Sequence, residues 1–142
     1  MPIMYYPQVG EIFICSYPKD FKEPEMIKTR PVVVVSPNFK HRGRLATIVP
    51  LSTTEPRNIM PYHIKITLTN PLPNPWNSNP FWAICDHSMT VGFDRLDLIR
   101  LGKDQYGKRK HYKAKLDKSI IHDIRIGIVR GIGLDLDKLT NS

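Results

Sequence analysis

The strongest constraint on the fold is a run of four valines, Val32 to Val35. β-Branched residues favour extended structure. Because the run has no polar residue at alternate positions, it predicts a strand that is covered on both faces. An arginine and a proline, Arg30 and Pro31, stand at its beginning. A permanent cation is therefore placed where a rigid strand begins.

Four further segments are rich in β-branched or aromatic residues and are bounded by Gly, Pro or Asn. Together with the valine run they predict five strands, over residues 11–17, 30–36, 45–52, 62–68 and 81–87. Two of the connections are long, 17–29 and 69–80, and the second contains four prolines. Loops of this length commonly serve a function or are disordered.

The hydrophobic period changes near residue 115. Apolar residues then recur every three to four positions, which predicts an amphipathic helix over residues 115–133, with residues 135–142 trailing from it. The apolar positions of this helix are Leu116, Ile120, Ile121, Ile124, Ile128 and Ile132. Consecutive strands followed by one helix predict a mainly β fold, a small, strongly bent barrel or sandwich with the helix packed alongside. The 142 residues suit one domain.

The chain is basic. It has 21 Lys and Arg against 13 Asp and Glu, a formal net charge of +8, which favours a polyanionic partner. The excess is concentrated in residues 100–115, where seven basic residues face one acid and aromatic residues are interleaved. A solvated edge that only aids solubility is the alternative interpretation.

Several classes of protein and site are disfavoured. No apolar stretch approaches the roughly 20 residues that span a bilayer, and the first residues lack the layout of a secretion signal, so we expect a cytoplasmic protein without a membrane partner. Cys15 and Cys85 lie in apolar segments without a CxxC partner and are expected to be buried free thiols. The five histidines lack metal-ligand spacing, and neither a metal nor another cofactor is predicted.

Polar side chains follow or precede three of the predicted strands. They are Arg30 before the valine run, the hydroxyl residues Ser52, Thr53 and Thr54 after the apolar residues of the third strand, and Asp86 with His87 and Ser88 after the apolar residues of the fifth strand. Strand ends can present side chains to a ligand. Turn capping and hydrogen bonds to backbone amides are the structural alternatives for each of them.

Four segments carry a family resemblance. "GEIFICSY", "KTRPVVVVSP", "ATIVPLSTT" and "FWAICDHSMTV", in this order, resemble the PemK/MazF family of bacterial toxin–antitoxin toxins, which are endoribonucleases. The resemblance covers residues 9–136, and its most specific part is Gly10-Glu11 followed by Arg30-Pro31 and an aliphatic strand. It implies an SH3-like β-barrel with a C-terminal helix, acting as a homodimer that an antitoxin neutralises.

The resemblance also implies a reaction on single-stranded RNA, chiefly messenger RNA. A ribose 2′-hydroxyl attacks the neighbouring phosphate without a metal and leaves a 2′,3′-cyclic phosphate and a 5′-hydroxyl. Arg30 matches the group that stabilises charge on the phosphoryl oxygens, and Ser52 and Thr53 match the hydroxyls that hold the phosphate. Asp86 matches the family aspartate; as a base it would need burial to raise its pKa, and otherwise it orients the ribose or a base.

The proton donor to the leaving oxygen is open. Some relatives have an arginine two positions before the aspartate, where this chain has Ile84. His87 and His41 are the alternatives, because imidazole titrates near neutral pH. Without a replacement the chain would cut RNA slowly or only bind it.

Further residues are predicted to hold RNA outside the reacting phosphate. Lys19 and Lys28 in the first long loop are expected to contact the phosphodiester backbone, and Trp76 in the second is expected to stack on a base. Trp82 is expected to pack in the core instead. Lys108, Arg109 and Lys110 in the basic segment are expected to follow the phosphates.

Two other functions agree with the same fold. One is a non-catalytic SH3-like module that binds nucleic acid or protein. The other is a gyrase poison similar to the related barrel toxin CcdB. The set formed by Arg30, the hydroxyl residues and Asp86 favours RNA cleavage over both.

Overall fold

The computed structural model describes residues 3–26 and 28–140. Within them the chain forms nine strands and two α-helices. The strands are β1 (Ile12–Cys15), β2 (Arg30–Val34), β3 (Leu45–Ser52), β4 (His63–Ile66), β5 (Phe81–Ile84), β6 (Met89–Gly92), β7 (Leu96–Asp97), β8 (Ile99–Lys103) and β9 (Arg109–Tyr112). The helices are α1 (Lys118–Gly131) and α2 (Leu136–Thr140).

The main sheet is antiparallel and follows the order β4-β5-β3-β2-β1-β7, with β6 also paired to β3. Its centre is β2, where Val33 pairs with Ile12 on one side and with Val49 on the other. Strand β3 pairs with β5 at its end and with β6 along its first half, so the sheet bends around it. Strands β8 and β9 form a separate two-stranded ribbon.

Both faces of β2 are buried, as the valine run predicts. Val33 and Val35 belong to a core that also contains Ile121 and Ile124 of α1, whereas Val32 and Val34 belong to a second core on the opposite face of the sheet. Alternate side chains of a strand point to opposite faces. A four-residue run without polar alternation therefore joins the two cores.

Helix α1 covers one face of the sheet. It begins after Asp117, whose carboxylate accepts a hydrogen bond from the amide of Ile120 at 3.3 Å and so caps the helix. Ile121 and Ile124 face the core and are buried. Ile132, which the periodicity places on the packed face, lies past the end of the helix and is 74% exposed.

The mainly β class with a C-terminal helix is confirmed, and four details differ from the sequence-based prediction. Four strands, β6 to β9, follow the five that were predicted. The main sheet stays open, because β4 and β7 end the path and do not pair with each other in the described part of the chain. The predicted strand over residues 81–87 stops at Ile84, and residues 85–87 form a 3-10 turn. The predicted trailing segment contains the short helix α2.

Two other expectations concern burial and membranes. Cys15 and Cys85 are free and buried, as predicted. Trp82 is 6% exposed and belongs to the core. Neither helix of the described residues has the length and apolar character needed to cross a bilayer.

Candidate functional site

Arg30 begins β2 and Ser52 ends the neighbouring antiparallel strand β3. The register of β2 and β3 pairs Val32 with Pro50. This is the last pair of the two strands; Arg30 precedes Val32 by two residues and Ser52 follows Pro50 by two, so both lie at the same end of the strand pair. The Arg30 side chain is half-buried and donates one hydrogen bond from Nε to the carbonyl oxygen of Lys28, at 3.4 Å. Within residues 3–26 and 28–140 the rest of its planar fork makes no hydrogen bond, so it can bind a ligand.

The hydroxyl residues after β3 form a compact turn. The Ser52 hydroxyl contacts Thr54 twice, accepting from its amide and donating to its carbonyl oxygen, both at 3.2 Å. This is the local bonding that serine favours in turns. Thr53 is exposed. Thr53 can therefore reach a ligand without losing a bond of this turn, whereas Ser52 would have to exchange one.

Asp86 and His87 lie on the 3-10 turn, Cys85–His87, that leads from β5 to β6. Strand β3 pairs with β5 at Leu51 and Ser52 and with β6 from Ile48 back to Leu45. The turn therefore passes beside the middle of β3, within about 10 Å of Ser52 along the strand. Asp86 is exposed, so it lacks the burial that a carboxylate base requires.

Helix α1 supports this turn at very close range. A Cβ atom added to Gly131 would lie 3.0 Å from Cα and 3.1 Å from Cβ of Asp86. A Cβ atom added to Gly127 would lie 2.8 Å from Sγ of Cys85. Burial, and secondarily the charge of Asp86, raises the pKa of the Cys85 thiol to about 12. The thiol is therefore a packing group and not a nucleophile.

A cavity of about 370 Å³ lies between the loop that precedes Arg30 and the turn that carries His87. Its walls are formed by residues of the loop on one side and of the turn on the other, namely Phe21, Pro24, Glu25 and Met26 facing His87, Ser88 and Met89. Ligand sites typically measure roughly 300–1,000 Å³ and combine apolar walls with a few polar groups. This cavity has that character.

Tyr17 lies at the base of the cavity and carries an unusual hydroxyl. The residue is 7% exposed, and its hydroxyl has no hydrogen-bond partner within residues 3–26 and 28–140. Burial raises the pKa of this hydroxyl, the Cys15 thiol raises it further, and the positive charge of Arg30 opposes the shift. The hydroxyl is therefore protonated, and its burial costs free energy.

We expect Tyr17→Phe to raise the free energy of unfolding by about 1 kcal/mol, because it removes a buried polar group that has no partner. For a domain of this size this is a rise of roughly 2–4 °C in melting temperature. Thermal unfolding followed by circular dichroism measures it. Tyr106→Phe is the control, because Tyr106 is 80% exposed and its loss should change nothing. A lower melting temperature for Tyr17→Phe would contradict the assignment.

The predicted RNA-binding residues occupy three separate regions. Lys19 and Lys28 are exposed in the loop before Arg30. Trp76 is half-buried and packs against the core, so only part of its ring is free to stack. Lys108, Arg109 and Lys110 lie on the ribbon of β8 and β9 and are all exposed.

The ribbon of β8 and β9 exposes its cationic side chains to solvent. Its turn is held by Asp104, whose carboxylate accepts from the amides of Tyr106 and Lys108 at 2.8 and 2.9 Å. Lys103 pairs with Arg109 across the two strands, so their charges lie on one face. Asp104, the acid of this segment, is committed to the turn.

Sequence reasoning did not identify the cavity or the Tyr17 hydroxyl. One signal was present, because Phe13, Cys15 and Tyr17 alternate and belong to the same core. The alternation places the tyrosine ring inward. Nothing in the local sequence indicates whether a buried tyrosine hydroxyl finds a partner.

Comparisons with known proteins agree with this fold. Residues 8–128 match the family described as PemK-like, MazF-like toxin of type II toxin-antitoxin system. An uncharacterized protein of Escherichia coli (strain K12), YifN, is 27% identical over 148 residues, which cover 93% of each chain.

Two solved structures illustrate the shared fold. MazF from Deinococcus radiodurans has a TM-score of 0.62 at 14% identity, covering 92% of this chain and 99% of that chain. An endoribonuclease from a mycobacterial species, in complex with its cognate antitoxin, has a TM-score of 0.57 at 19% identity, covering 91% and 97%. At these identities the two structures establish the fold alone.

Proposed function

Because this chain belongs to the PemK-like, MazF-like toxins of type II toxin–antitoxin systems, we propose that it is an endoribonuclease that cuts single-stranded RNA. The observation that carries the proposal is the cavity between the loop preceding Arg30 and the turn carrying His87. It adjoins two of the segments whose residues match the family motif. A nucleotide in this cavity would lie against the His87 imidazole. Arg30 is close enough to Tyr17, which also lines the cavity, for its positive charge to act on the Tyr17 hydroxyl.

The proposed reaction is attack of a ribose 2′-hydroxyl on the adjacent phosphate. The hydroxyl proton passes to a water molecule, the 2′-oxygen forms the new O–P bond, and the bond to the 5′-oxygen breaks. The products are a 2′,3′-cyclic phosphate and a 5′-hydroxyl. Negative charge grows on the phosphoryl oxygens, and preorganised donors stabilise it. Arg30 suits this role, because its fork can bind two oxygens and keeps its proton at neutral pH. Thr53, and Ser52 after a change of partner, would hold the same phosphate.

Two roles remain, orientation of the substrate and protonation of the leaving oxygen, and we assign them to Asp86 and His87. Asp86 is exposed, so we assign it to orienting the ribose or a base edge. The His87 imidazole has no hydrogen-bond partner in the described part of the chain and lines the cavity, and we propose it as the proton donor to the leaving 5′-oxygen. Ile84, which replaces the arginine of some relatives, is buried in β5.

His41 is a poorer candidate for the proton donor. It lies in the connection between β2 and β3, whereas Arg30 begins the first of these strands and Ser52 ends the second. His41 is therefore at the opposite end of this strand pair from both residues. A strand rises about 3.3 Å per residue, so the length of β3 separates His41 from the proposed phosphate.

We further propose that the ribbon of β8 and β9 follows the RNA backbone. Its cations are exposed, and the single acid among them is engaged in the turn. Lys19 and Lys28 would contact the backbone nearer the cleaved bond, and the free part of the Trp76 ring would stack on a base. Phosphate contacts of this kind release counterions, so binding weakens as salt rises.

Replacing Lys108, Arg109 and Lys110 together by alanine is expected to weaken RNA binding and to flatten its dependence on salt. Each lost contact to a single strand should reduce the slope of log K against log salt by about 0.7, so the slope should fall by about 2. Fluorescence anisotropy with an uncleavable 2′-deoxy oligonucleotide measures both effects. The matched control exchanges lysine and arginine at the same positions, which keeps the charge and should keep the slope. If the slope of log K against log salt is unchanged in the alanine variant, these three residues do not contact RNA and form only a solvated basic surface.

One assay tests the function itself. The purified protein is incubated with a long single-stranded RNA in EDTA, and the new ends are mapped. Cuts at a repeated short sequence that leave 5′-hydroxyl ends support the proposal. Intact RNA that still binds supports a non-catalytic module, and intact RNA together with inhibited DNA gyrase supports a CcdB-like poison.

The biological setting follows the same premise. We propose that cleavage of messenger RNA in the cytoplasm arrests translation and that a cognate antitoxin blocks the site; a similar mycobacterial endoribonuclease was solved with its antitoxin. A homodimer is part of the proposal. The exposed apolar side chains of Ile132 and Leu134 after α1 offer a surface for it.

A further inference from the structure

The ribbon of β8 and β9 leaves the main sheet at the edge formed by β1. Strand β7 pairs with the second half of β1, and the chain returns to the same strand at Lys115, which pairs with Glu11. The ribbon lies between these two pairings. Its base is packed, with Ile99 buried and Tyr112 half-buried against the core. Beyond this base residues 100–103 and 105–110 are all exposed, so the ribbon projects from the body of the protein.

The projecting ribbon carries cations on both faces. Lys103 pairs with Arg109, and Gly102 pairs with Lys110. Paired residues share a face, and adjacent residues of a strand point to opposite faces. Lys103 and Arg109 therefore lie on one face and Lys110 on the other. Lys108 precedes Lys110 by two residues and shares its face.

Cations on two faces fit phosphates on two sides. The one acid of the ribbon, Asp104, is engaged in the turn, so the charge of both faces is unopposed within the ribbon. A single strand would have to wrap around the ribbon to reach both faces, whereas the groove of a duplex has a row of phosphates along each wall. The ribbon also exposes one aromatic ring, that of Tyr106, and single-strand sites stack successive bases on aromatic rings.

The dimensions of the ribbon favour B-form DNA over duplex RNA. The major groove of B-DNA is about 12 Å wide and about 8.5 Å deep, and it admits a two-stranded β-ribbon. From Arg100 to Lys103 the exposed part of β8 rises about 10 Å, which is comparable with this depth. A bulge between Arg100 and Gly102 increases the local twist of the ribbon, as a helical groove requires. The major groove of duplex RNA is deep and too narrow for side chains to read.

We propose that the ribbon enters the major groove of duplex DNA, as a second partner besides the RNA proposed above. Its two charged faces would meet the phosphates of the two DNA strands, one face to each strand. Gln105 and Tyr106 are exposed at the tip and would approach the edges of the bases. Duplex DNA lacks the 2′-hydroxyl that the proposed cleavage uses, so the DNA is bound and not cut.

The test is fluorescence anisotropy with a short labelled DNA duplex and with an RNA duplex of the same sequence. We expect the DNA duplex to bind at least about tenfold tighter, because only its major groove admits the ribbon. The slope of log K against log salt for DNA should be about −3 to −4, since each of four phosphate contacts contributes about 0.9. Methyl green, which occupies the major groove, should displace the protein, and netropsin, which fills the minor groove, should not.

Two matched double variants test the two faces of the ribbon. Lys103→Gln, Arg109→Gln removes the charge of one face, and Lys108→Gln, Lys110→Gln removes the charge of the other. Each variant should weaken DNA binding by about tenfold or more and should bring the slope of log K against log salt closer to zero by about 2. Neither result depends on whether the protein cuts RNA, so this test stands apart from that of the proposed function.

The control variant is Lys65→Gln, Lys138→Gln, which removes the same charge at two exposed positions outside the ribbon and should bind DNA like wild type. Circular dichroism should be unchanged in all three variants, because every exchanged side chain is exposed. The proposal is overturned if the DNA duplex binds no tighter than the RNA duplex or if netropsin displaces the protein. It is also overturned if either ribbon variant keeps the wild-type slope, or if the control variant loses as much of it as they do.

Discussion

Arg30→Ala is expected to lower the rate of RNA cleavage by about a thousandfold while the fold survives. Removing one preorganised donor from a charged transition state costs about 10²- to 10³-fold, and arginines that stabilise phosphoryl transfer contribute roughly 10³- to 10⁵-fold. The structure gives little reason for unfolding, because Arg30 is half-buried and makes one long hydrogen bond, to Lys28. Single-turnover cleavage of an RNA with one mapped site measures the effect.

Two further variants sharpen this experiment. Arg30→Lys keeps the charge but not the two-pronged geometry, so it should recover only a small part of the rate. Arg57→Ala removes an exposed arginine to which the proposed mechanism gives no part, and it should cleave like wild type. If Arg30→Ala and Arg57→Ala cut equally fast, Arg30 has no place in the reaction.

Gly10→Ala is expected to destabilise the protein by about 3 kcal/mol, through a strained backbone and a collision together. Gly10 has a φ of +94°, and an added Cβ would lie 2.7 Å from the carbonyl oxygen of Leu116. That oxygen belongs to backbone that is bonded to Gly10 itself, with the amide of Leu116 donating to the Gly10 carbonyl at 2.9 Å. The hydrogen-bonded contact between Gly10, just before β1, and Leu116, just before α1, would have to open. Urea unfolding measures the loss.

A glycine in the ribbon turn separates the two causes. Gly107 has a φ of +79°, and a Cβ added there would meet nothing within 4 Å. Gly107→Ala therefore carries backbone strain without a collision and should cost about 1–2 kcal/mol. If Gly10→Ala and Gly107→Ala lower the free energy of unfolding equally, the Leu116 backbone moves away from the added Cβ without cost.

The central strand and the helix could be predicted because both depend on local patterns. Four valines without polar alternation require cover on both sides, and the structure supplies a separate core on each face. The spacing of Ile120, Ile121 and Ile124 likewise requires one packed helix face. These requirements hold whatever the rest of the chain does.

The turn that carries Asp86 and His87 could not be predicted in the same way. Residues 81–87 have a strand-like composition, but the structure stops the strand at Ile84. At this point the backbone of α1 lies against Cys85 and Asp86. This contact joins segments more than 40 residues apart, and no local pattern encodes it.

The sequence predicted which residues belong to the candidate site, but only part of how they are arranged. The family motif identified Arg30, Ser52 and Asp86 as residues of interest, but the strand register placed the first two at one edge and set Asp86 beside the middle of β3. Loops rich in proline, such as residues 69–80, carry no period from which the environment of Trp76 could be predicted.

The two glycines of α1 that contact the Cys85–His87 turn weaken the helix that contains them. Each lowers helical propensity by about 1 kcal/mol relative to alanine, and isolated helices of about 14 residues are already marginal in water. The second half of α1 is therefore helical because it is docked on the sheet. Formation of that half and positioning of the Cys85–His87 turn are consequently coupled, so the backbone of Asp86 is held in place only when α1 is docked on the sheet.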